Sequence, residues 1–357
     1  MLYPSLSPWI YYIGAAGVKW HNRRITHITI KYMLINVVAL VVGLVFLVIA
    51  ADKFIVGTVA IARKFNVPPL LIGLTIVGLG TSAPEILVSA IASFQGNAGL
   101  AVGNALGSNI ANIGLILGCT ALISPLAFNS DLLRRELPIL MVVSLICYFM
   151  AFDGLGVIDG VIMLVMLGVF LAWLVRLAKK TGQKKSMDDP LEQELIDEMP
   201  ENVSEQKAWL FFVVGLIALL ASSRLLVWAA VNIAESFGVS DLVIGLTIVA
   251  LGTSLPELAA SISSVLKKEY ELAVGNVIGS NMYNLLAVYS LPGLIAPGPV
   301  AESVIYRDFP VMLGLTGVLF ILGYGFSKSG HINRWEGSAL LLAYIGYQWV
   351  IFQSAVV

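Results

Sequence analysis

Long apolar runs separated by short polar connections make up most of this 357-residue chain. A helix needs about 20 apolar residues to cross a lipid bilayer, so each run of about that length predicts a membrane-spanning helix. Ten such runs occur, at residues 33–51, 69–94, 99–124, 137–152, 157–178, 208–231, 242–265, 271–296, 309–326 and 337–354. The pattern therefore predicts an all-α polytopic membrane protein with ten transmembrane helices.

Composition supports a chain surrounded by lipid. Hydrophobic residues make up 58% of it and charged residues only 12%, with a mean hydropathy of +0.90. Soluble domains carry about a quarter charged residues, so a soluble chain would lack the polar surface that it needs. We expect the lipid bilayer as its surroundings, no nucleic acid partner, no cofactor and a single chain as its assembly.

The basic residues of the loops predict an orientation. Lys and Arg concentrate on one set of loops, which includes residues 179–207. The positive-inside rule places that set in the cytoplasm, so both ends of the ten-helix unit lie outside a plasma (inner) membrane. Residues 1–32 form an N-terminal extension without an assigned function. Residues 179–207 turn acidic, but they lack the glycine-turn spacing of a calcium-binding EF-hand loop, and we expect a solvated linker.

Two blocks of sequence occur twice. GLTIVGLGTSAPEILVS at 73–89 matches GLTIVALGTSLPELAAS at 245–261 in 12 of 17 positions. AVGNALGSNIAN at 101–112 matches AVGNVIGSNMYN at 273–284 in 8 of 12 positions. Both pairs are 172 residues apart (from 73 to 245 and from 101 to 273) with no gap between the blocks, which indicates a duplication.

The duplication divides the chain into residues 33–178 and 208–357, with five predicted spans in each. Because five is odd, the second copy must enter the membrane from the opposite side. Inverted repeats with interrupted helices are typical of secondary transporters, which bind their substrate near the membrane midplane where the repeats meet.

The first block combines a helix break with oxygen ligands. Pro84 has no N–H, so the carbonyl of Gly80 should lose its helical partner, and the carbonyl of Thr81 should loosen. Thr81 and Ser82 share a helix face with Glu85, at spacings of four and three residues. The second block supplies the same set in Gly252, Thr253, Ser254, Pro256 and Glu257.

Carboxylate, hydroxyl and carbonyl oxygens are hard ligands, of the kind that Na⁺ and Ca²⁺ prefer. A charged Glu inside a membrane costs about 2.5–3.5 kcal/mol, so two of them in repeated surroundings indicate function. The alternative is that each is a helix-end or core residue that stays protonated. One Ca²⁺, two or more Na⁺, or two protons would neutralise the pair, and competition for this charge is a physical basis for exchange.

The second block adds polar stripes on the following helices. Its members are spaced by four residues, and they are Asn104, Ser108 and Asn112 in the first copy and Asn276, Ser280 and Asn284 in the second. We expect Ser108, Asn112, Ser280 and Asn284 to line the site. Asn104 and Asn276 either line it or hydrogen-bond to a neighbouring helix break. The glycines are expected to allow close helix packing, and they are Gly103, Gly107, Gly275 and Gly279.

The motifs G-T-S-x-P-E and G-N-x-x-G-S-N-x-x-N resemble those of the calcium/cation antiporter superfamily, in particular prokaryotic sodium/calcium exchanger homologues. The resemblance extends from residue 33 to the end of the chain. It implies that Glu85 and Glu257 are the central Ca²⁺ and Na⁺ ligands, and that Gly78 and Ala250 offer backbone carbonyls. It also implies hydroxyl or carbonyl oxygens from Thr81, Ser82, Thr253 and Ser254, and alternating access by sliding of the first helix of each repeat.

One position departs from the family pattern. Residue 284 is Asn, where well-studied exchangers carry Asp. Asn112 and Asn284 make the two halves of the site alike and leave two carboxylates instead of three. The stoichiometry, the affinity and the choice of Na⁺, H⁺ or K⁺ as counter-ion therefore stay open.

Three alternatives compete with Ca²⁺/Na⁺ exchange. The nearest is an antiporter of the same fold that exchanges Ca²⁺ or another divalent cation for H⁺, or a K⁺-coupled variant. A passive cation channel is a second, which a closed midplane site argues against. An intramembrane enzyme with a serine nucleophile is a third. It would need a base, but all three His lie outside the predicted spans and no Lys lies deep within one.

Overall fold

The computed structural model describes residues 18–64, 69–128, 133–183, 203–236, 250–324 and 330–356, and these are mostly helical. The α-helices are α1 (Val18–Lys64), α2 (Pro69–Ile72), α3 (Gly78–Thr81), α4 (Ala83–Phe94), α5 (Ala98–Ala111), α6 (Gly118–Ile123), α7 (Leu133–Met150), α8 (Val157–Gln183), α9 (Glu205–Ser236), α10 (Ala250–Thr253), α11 (Leu255–Leu266), α12 (Tyr270–Tyr283), α13 (Ser290–Ile295), α14 (Phe309–Tyr324) and α15 (Arg334–Val356). Wider π-helical turns form Gly73–Val77, Asn112–Leu117, Asn284–Val288 and Val304–Asp308.

Several of these helices are long and apolar enough to cross a membrane. In the described residues they are Met33–Ile61, Ala98–Ile123, Val157–Leu177, Glu205–Ala229 and Val304–Gly323, and Gly73–Thr81 with Ala83–Phe94 would make a sixth, bent by 48°. The other predicted runs also fall on helices where they are described, but those helices are shorter, interrupted or less apolar. The count of ten stays a prediction, and residues 242–249, which begin the seventh run, lie outside the described residues.

Helix α1 is longer at both ends than the apolar run at 33–51 that predicted it. It begins at Val18 and ends at Lys64, so the apolar run is only its middle. An apolar run shows where lipid contact is favourable, whereas a helix continues until a residue breaks its hydrogen bonds, and residues 18–64 contain no proline. Residues 1–17 of the predicted extension and 184–202 of the predicted linker lie outside the described residues.

Helices α1 and α9 pack closely in antiparallel directions. A Cβ on Gly57 would lie 2.4 Å from the backbone nitrogen of Phe212, and one on Gly215 would lie 2.7 Å from that of Phe54. The Phe54 and Phe212 rings are 5.4 Å apart. Because only glycine permits such a close approach, the two helices form one packed unit. The other side of α1 exposes apolar side chains such as Val48, as expected for a helix that faces lipid.

The second repeated blocks lie at the centre of the molecule. Within Ala98–Ile123, 72% of the most apolar stretch is buried, against 22% within Met33–Ile61. The largest hydrophobic cluster contains residues of both halves, among them Ile110, Ile113, Leu285 and Phe309. Helices α5 and α12 are therefore core helices, which places their polar side chains in the interior.

Two short backbone pairings join the halves outside the helices. Strand β1 (Leu126–Phe128) pairs antiparallel with β2 (Gly330–Ile332). Leu155 and Gly298 exchange two backbone hydrogen bonds of 2.9 and 3.0 Å. The sequence did not predict these strands, because three residues are too few for a periodic pattern and their partners are about 200 residues distant along the chain.

Candidate functional site

Both repeated blocks contain a helix break at a serine. Ser82 separates α3 from α4 with φ −78° and ψ 3°, and Ser254 separates α10 from α11 with φ −88° and ψ 4°. Pro84 and Pro256 lie in the first turn of the second helix, where the missing N–H is tolerated. Each break therefore sets a glutamate on the first turn of the helix that follows.

The glutamates are buried beside the opposite half of the chain. Glu85 is 0% exposed and Glu257 is 1% exposed. Ser82 Oγ donates to Glu257 Oε1 at 3.3 Å, and Ser254 Oγ donates to Glu85 Oε1 at 3.4 Å. The sequence placed each serine on a face with the glutamate of its own block, whereas the recorded bonds run between the blocks. The two breaks therefore meet to form one site.

Asn104 and Asn276 hold this arrangement together. Asn104 Nδ2 donates to the carbonyl of Glu85 at 3.0 Å, and its Oδ1 accepts from Thr253 Oγ1 at 3.4 Å. Asn276 makes the same pair of contacts, to the carbonyl of Glu257 at 3.3 Å and from Thr81 Oγ1 at 3.2 Å. Of the two roles left open by the sequence, these contacts match hydrogen bonding to a neighbouring break.

Sequence reasoning missed the serines that support these asparagines. Ser89 Oγ accepts from Asn104 Nδ2 at 2.9 Å, and Ser261 Oγ accepts from Asn276 Nδ2 at 3.0 Å. The signal was present, because these serines end both copies of the first block. They were missed because each partner lies on the next helix, 15 residues further along the chain.

The carbonyl of Gly252 is not free, contrary to the expectation from Pro256. It accepts a hydrogen bond of 2.8 Å from Ser223 Oγ on α9. The position 172 residues earlier is Ala51, which has no hydroxyl group to offer the corresponding carbonyl of Gly80. The two breaks therefore differ chemically, although their own residues match.

The other two backbone candidates contribute less. The Gly78 carbonyl accepts the N–H of Ser82 at 3.0 Å, so it is part of the helical hydrogen-bond pattern. Ala250 begins α10, and its side chain lies outside the described residues.

The polar side chains that were expected to line the site from the second block are buried. Ser108, Asn112, Ser280 and Asn284 are all 0% exposed. Asn112 and Asn284 each begin a π-helical segment. Asn112 Nδ2 donates to Asn281 Oδ1 at 2.9 Å, a residue that the sequence analysis did not single out.

Several buried oxygens of the predicted site have no hydrogen-bond partner in the described structure. They include Glu85 Oε2, Glu257 Oε2, Ser108 Oγ, Asn112 Oδ1 and Asn284 Oδ1. An unsatisfied buried polar group costs about 1–3 kcal/mol, and more when it is charged. A hard cation that accepts lone pairs from several of them would remove that cost, so the donor set fits Na⁺ or Ca²⁺. The described residues contain no group of three or more His, Cys, Asp or Glu side chains, so the formal charge here rests on the two glutamates.

Gly279, one of the predicted packing glycines of the second copy, lies in close contact with a neighbouring helical segment. A Cβ on Gly279 would lie 2.6 Å from the carbonyl oxygen of Leu74, and one on Gly73 would lie 2.7 Å from that of Leu272. The π-helical segment before the first break therefore touches α12. The matching contact of Gly103 and Gly107 would involve residues 245–249, which lie outside the described residues.

Comparison with known proteins gives a consistent result. A family model described as sodium/calcium exchanger protein matches residues 35–176 and 207–353. The chain is 48% identical over 323 residues to the putative antiporter CaxA of Alkalimonas amylolytica, covering 90% of this chain and 100% of that protein. It is 32% identical to the sodium/calcium exchanger MaX1 of Methanosarcina acetivorans, covering 89% and 99%. A solved structure of the sodium-calcium exchanger NCX_Mj, soaked with Na⁺ and Ca²⁺, superposes with a TM-score of 0.74 at 34% identity, covering 87% and 96%.

Proposed function

Because the chain belongs to the sodium/calcium exchanger protein family, we propose that it exchanges Ca²⁺ for Na⁺ across the membrane by alternating access. Membership of this family makes it a multi-pass membrane protein that transports cations, and not an enzyme. The ion pair, the mechanism and the residues that bind the ions are the proposal.

The proposed architecture has ten transmembrane helices in two inverted five-helix repeats, residues 33–178 and 208–357. The linker 179–207 lies in the cytoplasm, and the membrane is the plasma (inner) membrane. Support comes from the 172-residue repeat, from the antiparallel packing of α1 on α9, and from hydrogen bonds that cross between the halves in matching pairs. Inverted repeats bind substrate where they meet, which is where these bonds lie.

The main support for the proposed ion site is a pair of buried glutamates, each with one carboxylate oxygen that accepts no hydrogen bond. Glu85 Oε2 and Glu257 Oε2 have no hydrogen-bond partner in the described structure, and the other oxygen of each is bound by a serine of the opposite block. An ion between them would contact both repeats at once. Since either one Ca²⁺ or two Na⁺ would balance the two negative charges, one ion type excludes the other.

The proposed ligands besides the carboxylates are neutral. They are the oxygens of Thr81, Ser82, Ser108, Asn112, Thr253, Ser254, Ser280 and Asn284, with Gly80 as a backbone candidate. The Gly252 carbonyl is a weaker candidate, because the Ser223 hydroxyl already occupies it.

A second candidate is exchange of Ca²⁺ for H⁺, or a K⁺-coupled form. The observation that favours it is Asn284, which is buried, unpartnered and neutral where well-studied exchangers carry Asp. A site with two carboxylates can be discharged completely by two protons.

The test is uptake of radiolabelled Ca²⁺ into proteoliposomes that hold the purified protein. Uptake should be driven by an outward Na⁺ gradient and not by a pH gradient or a K⁺ gradient alone. Glu85→Gln and Glu257→Gln should each abolish it, because either change removes half of the site's charge. Glu136→Gln is a matched control, since Glu136 is also a buried glutamate (1% exposed) but lies at the start of α7, outside the site.

Uptake driven only by the pH gradient would replace the Na⁺ proposal by the H⁺ one. No uptake with any gradient would overturn the calcium proposal. Wild-type uptake in either glutamate variant would overturn the proposal that Glu85 and Glu257 bind the transported ion.

A further inference from the structure

Two pairs of asparagines occupy equivalent places in the repeats but are bonded differently. Asn112 Nδ2 donates to Asn281 Oδ1 at 2.9 Å. The residues at the matching positions of the other repeat, 172 residues away along the chain, are Asn284 and Asn109. These two side chains do not form the corresponding hydrogen bond. Asn109 Nδ2 donates instead to the carbonyl of Ala105 at 3.1 Å. Neither polar side-chain atom of Asn284, nor Asn109 Oδ1, has a partner in the described structure.

The asparagines themselves do not explain this difference. The residues concerned lie in the same motif, GSNIAN at 107–112 and GSNMYN at 279–284, with the asparagines in identical positions. All four asparagines are at most 1% exposed, so solvent cannot replace the missing bond. Identical residues with different partners indicate that the two repeats have different conformations.

The hydrogen bonds next to the glutamates, by contrast, are nearly symmetric. The carbonyls of Glu85 and Glu257 accept from Asn104 and Asn276 at 3.0 and 3.3 Å. The two serine-to-glutamate bonds across the site are 3.3 and 3.4 Å long. A general distortion of one repeat would have changed these bonds as well.

The packing of the long helices also differs between the two repeats. Helix α1 packs against α11, and Lys267, the residue after α11, pairs with Asp52 of α1. The repeat-related pair is α9 with α4, and the described residues of these two helices do not pack in a comparable way. The two repeats therefore differ in the packing of their first helices as well as in the bonding of these asparagines.

We propose that Asn281 and Asn109 are positioning residues that hold Asn112 and Asn284 in turn. This inference rests on the proposed alternating-access function, in which the two repeats exchange conformations between the two states. In the present state Asn281 fixes the amide of Asn112 and leaves its Oδ1 for an ion, while Asn284 is released. In the opposite state Asn109 fixes Asn284 and Asn112 is released. A different amide is thus oriented for the ion when the site opens to each face of the membrane.

The test compares Asn281→Ala with Asn109→Ala, which are matched controls for each other. Initial rates of Ca²⁺ exchange are measured against Ca²⁺ concentration at each face, in right-side-out and in everted vesicles. Each variant should raise KM by about fivefold at one face only, the loss expected for one hydrogen bond of about 1 kcal/mol, and the two variants should affect opposite faces. A purely structural role would change both faces alike.

A second readout needs only folded protein and no transport. Hydrogen–deuterium exchange of α1 and α11 reports which state is populated, and the two variants should shift it in opposite directions. Equal changes in KM at both faces, unchanged KM in both variants, or exchange shifts of the same sign would overturn the inference. If the wild type transports no Ca²⁺ with any gradient, the proposed function fails, and the exchange shifts still decide this inference.

Discussion

Asn284→Asp should make the proposed exchange of Ca²⁺ for Na⁺ responsive to the membrane potential. Both amide atoms of Asn284 are buried without a hydrogen-bond partner, so an aspartate of the same shape breaks no recorded bond there. The substitution adds one negative charge to the two that Glu85 and Glu257 provide. The third charge favours binding of a third Na⁺, whereas one Ca²⁺ still occupies the site in the other half of the cycle.

The magnitude follows from counting charges. In the proposed exchange of the wild type, the two carboxylates are balanced by two Na⁺ or by one Ca²⁺, so we expect a complete cycle to move no net charge across the membrane. In the variant we expect three Na⁺ to be exchanged for one Ca²⁺, so that each cycle moves one elementary charge. Moving that charge across 100 mV is worth about 2.3 kcal/mol, which corresponds to about a 50-fold change in the steady-state Ca²⁺ ratio.

The assay clamps the membrane potential of proteoliposomes with a K⁺ gradient and valinomycin at a fixed Na⁺ gradient. The accumulated Ca²⁺ is measured at 0 mV and at about 100 mV, the span used above. Asn97→Asp is the control, because Asn97 is an exposed helix cap of α5 whose oxygen accepts the N–H of Leu100, as a carboxylate also can.

A wild-type Ca²⁺ ratio that already shifts about 50-fold per 100 mV would refute the charge count. So would an Asn284→Asp variant that transports Ca²⁺ without any response to voltage.

Three further substitutions test the described contacts through the free energy of unfolding in detergent. Ser223→Ala should lower it by about 1 kcal/mol, because the buried Gly252 carbonyl loses its hydroxyl donor; an unchanged value would mean that another group replaces the bond. Gly96→Ala should lower the free energy of unfolding by about 1–2 kcal/mol, because Gly96 has φ +78°. Gly346→Ala is the control and should be neutral or stabilising, because Gly346, like Gly96, has no described atom within 4 Å of an added Cβ. Equal effects of the two substitutions would argue against backbone strain at Gly96. Gly279→Ala should cost about 1–3 kcal/mol, since its Cβ would lie 2.6 Å from a backbone oxygen, and thermal melts that match the wild type would contradict this.

The sequence alone determined the features that depend on local covalent chemistry. Pro84 and Pro256 lack an N–H wherever the chain folds, so a helix break next to each could be predicted from its position. The identical spacing of the two copies predicted a duplication, and the family comparison agrees with the resemblance drawn from the same motifs. The apolar runs placed helices correctly in the described ranges, although they could not give the ends of α1.

Only the tertiary structure decided which residues meet. Ser82 bonds to Glu257 over a separation of 175 residues, and Asn112 bonds to Asn281 over 169. No local pattern encodes such pairs, because they arise when two broken helices pack against each other in the interior. The same holds for the Ser223 bond to Gly252 and for the unequal bonding of identical asparagines. The sequence supplies two similar halves, and only the tertiary structure shows that matching asparagines within them are bonded unequally.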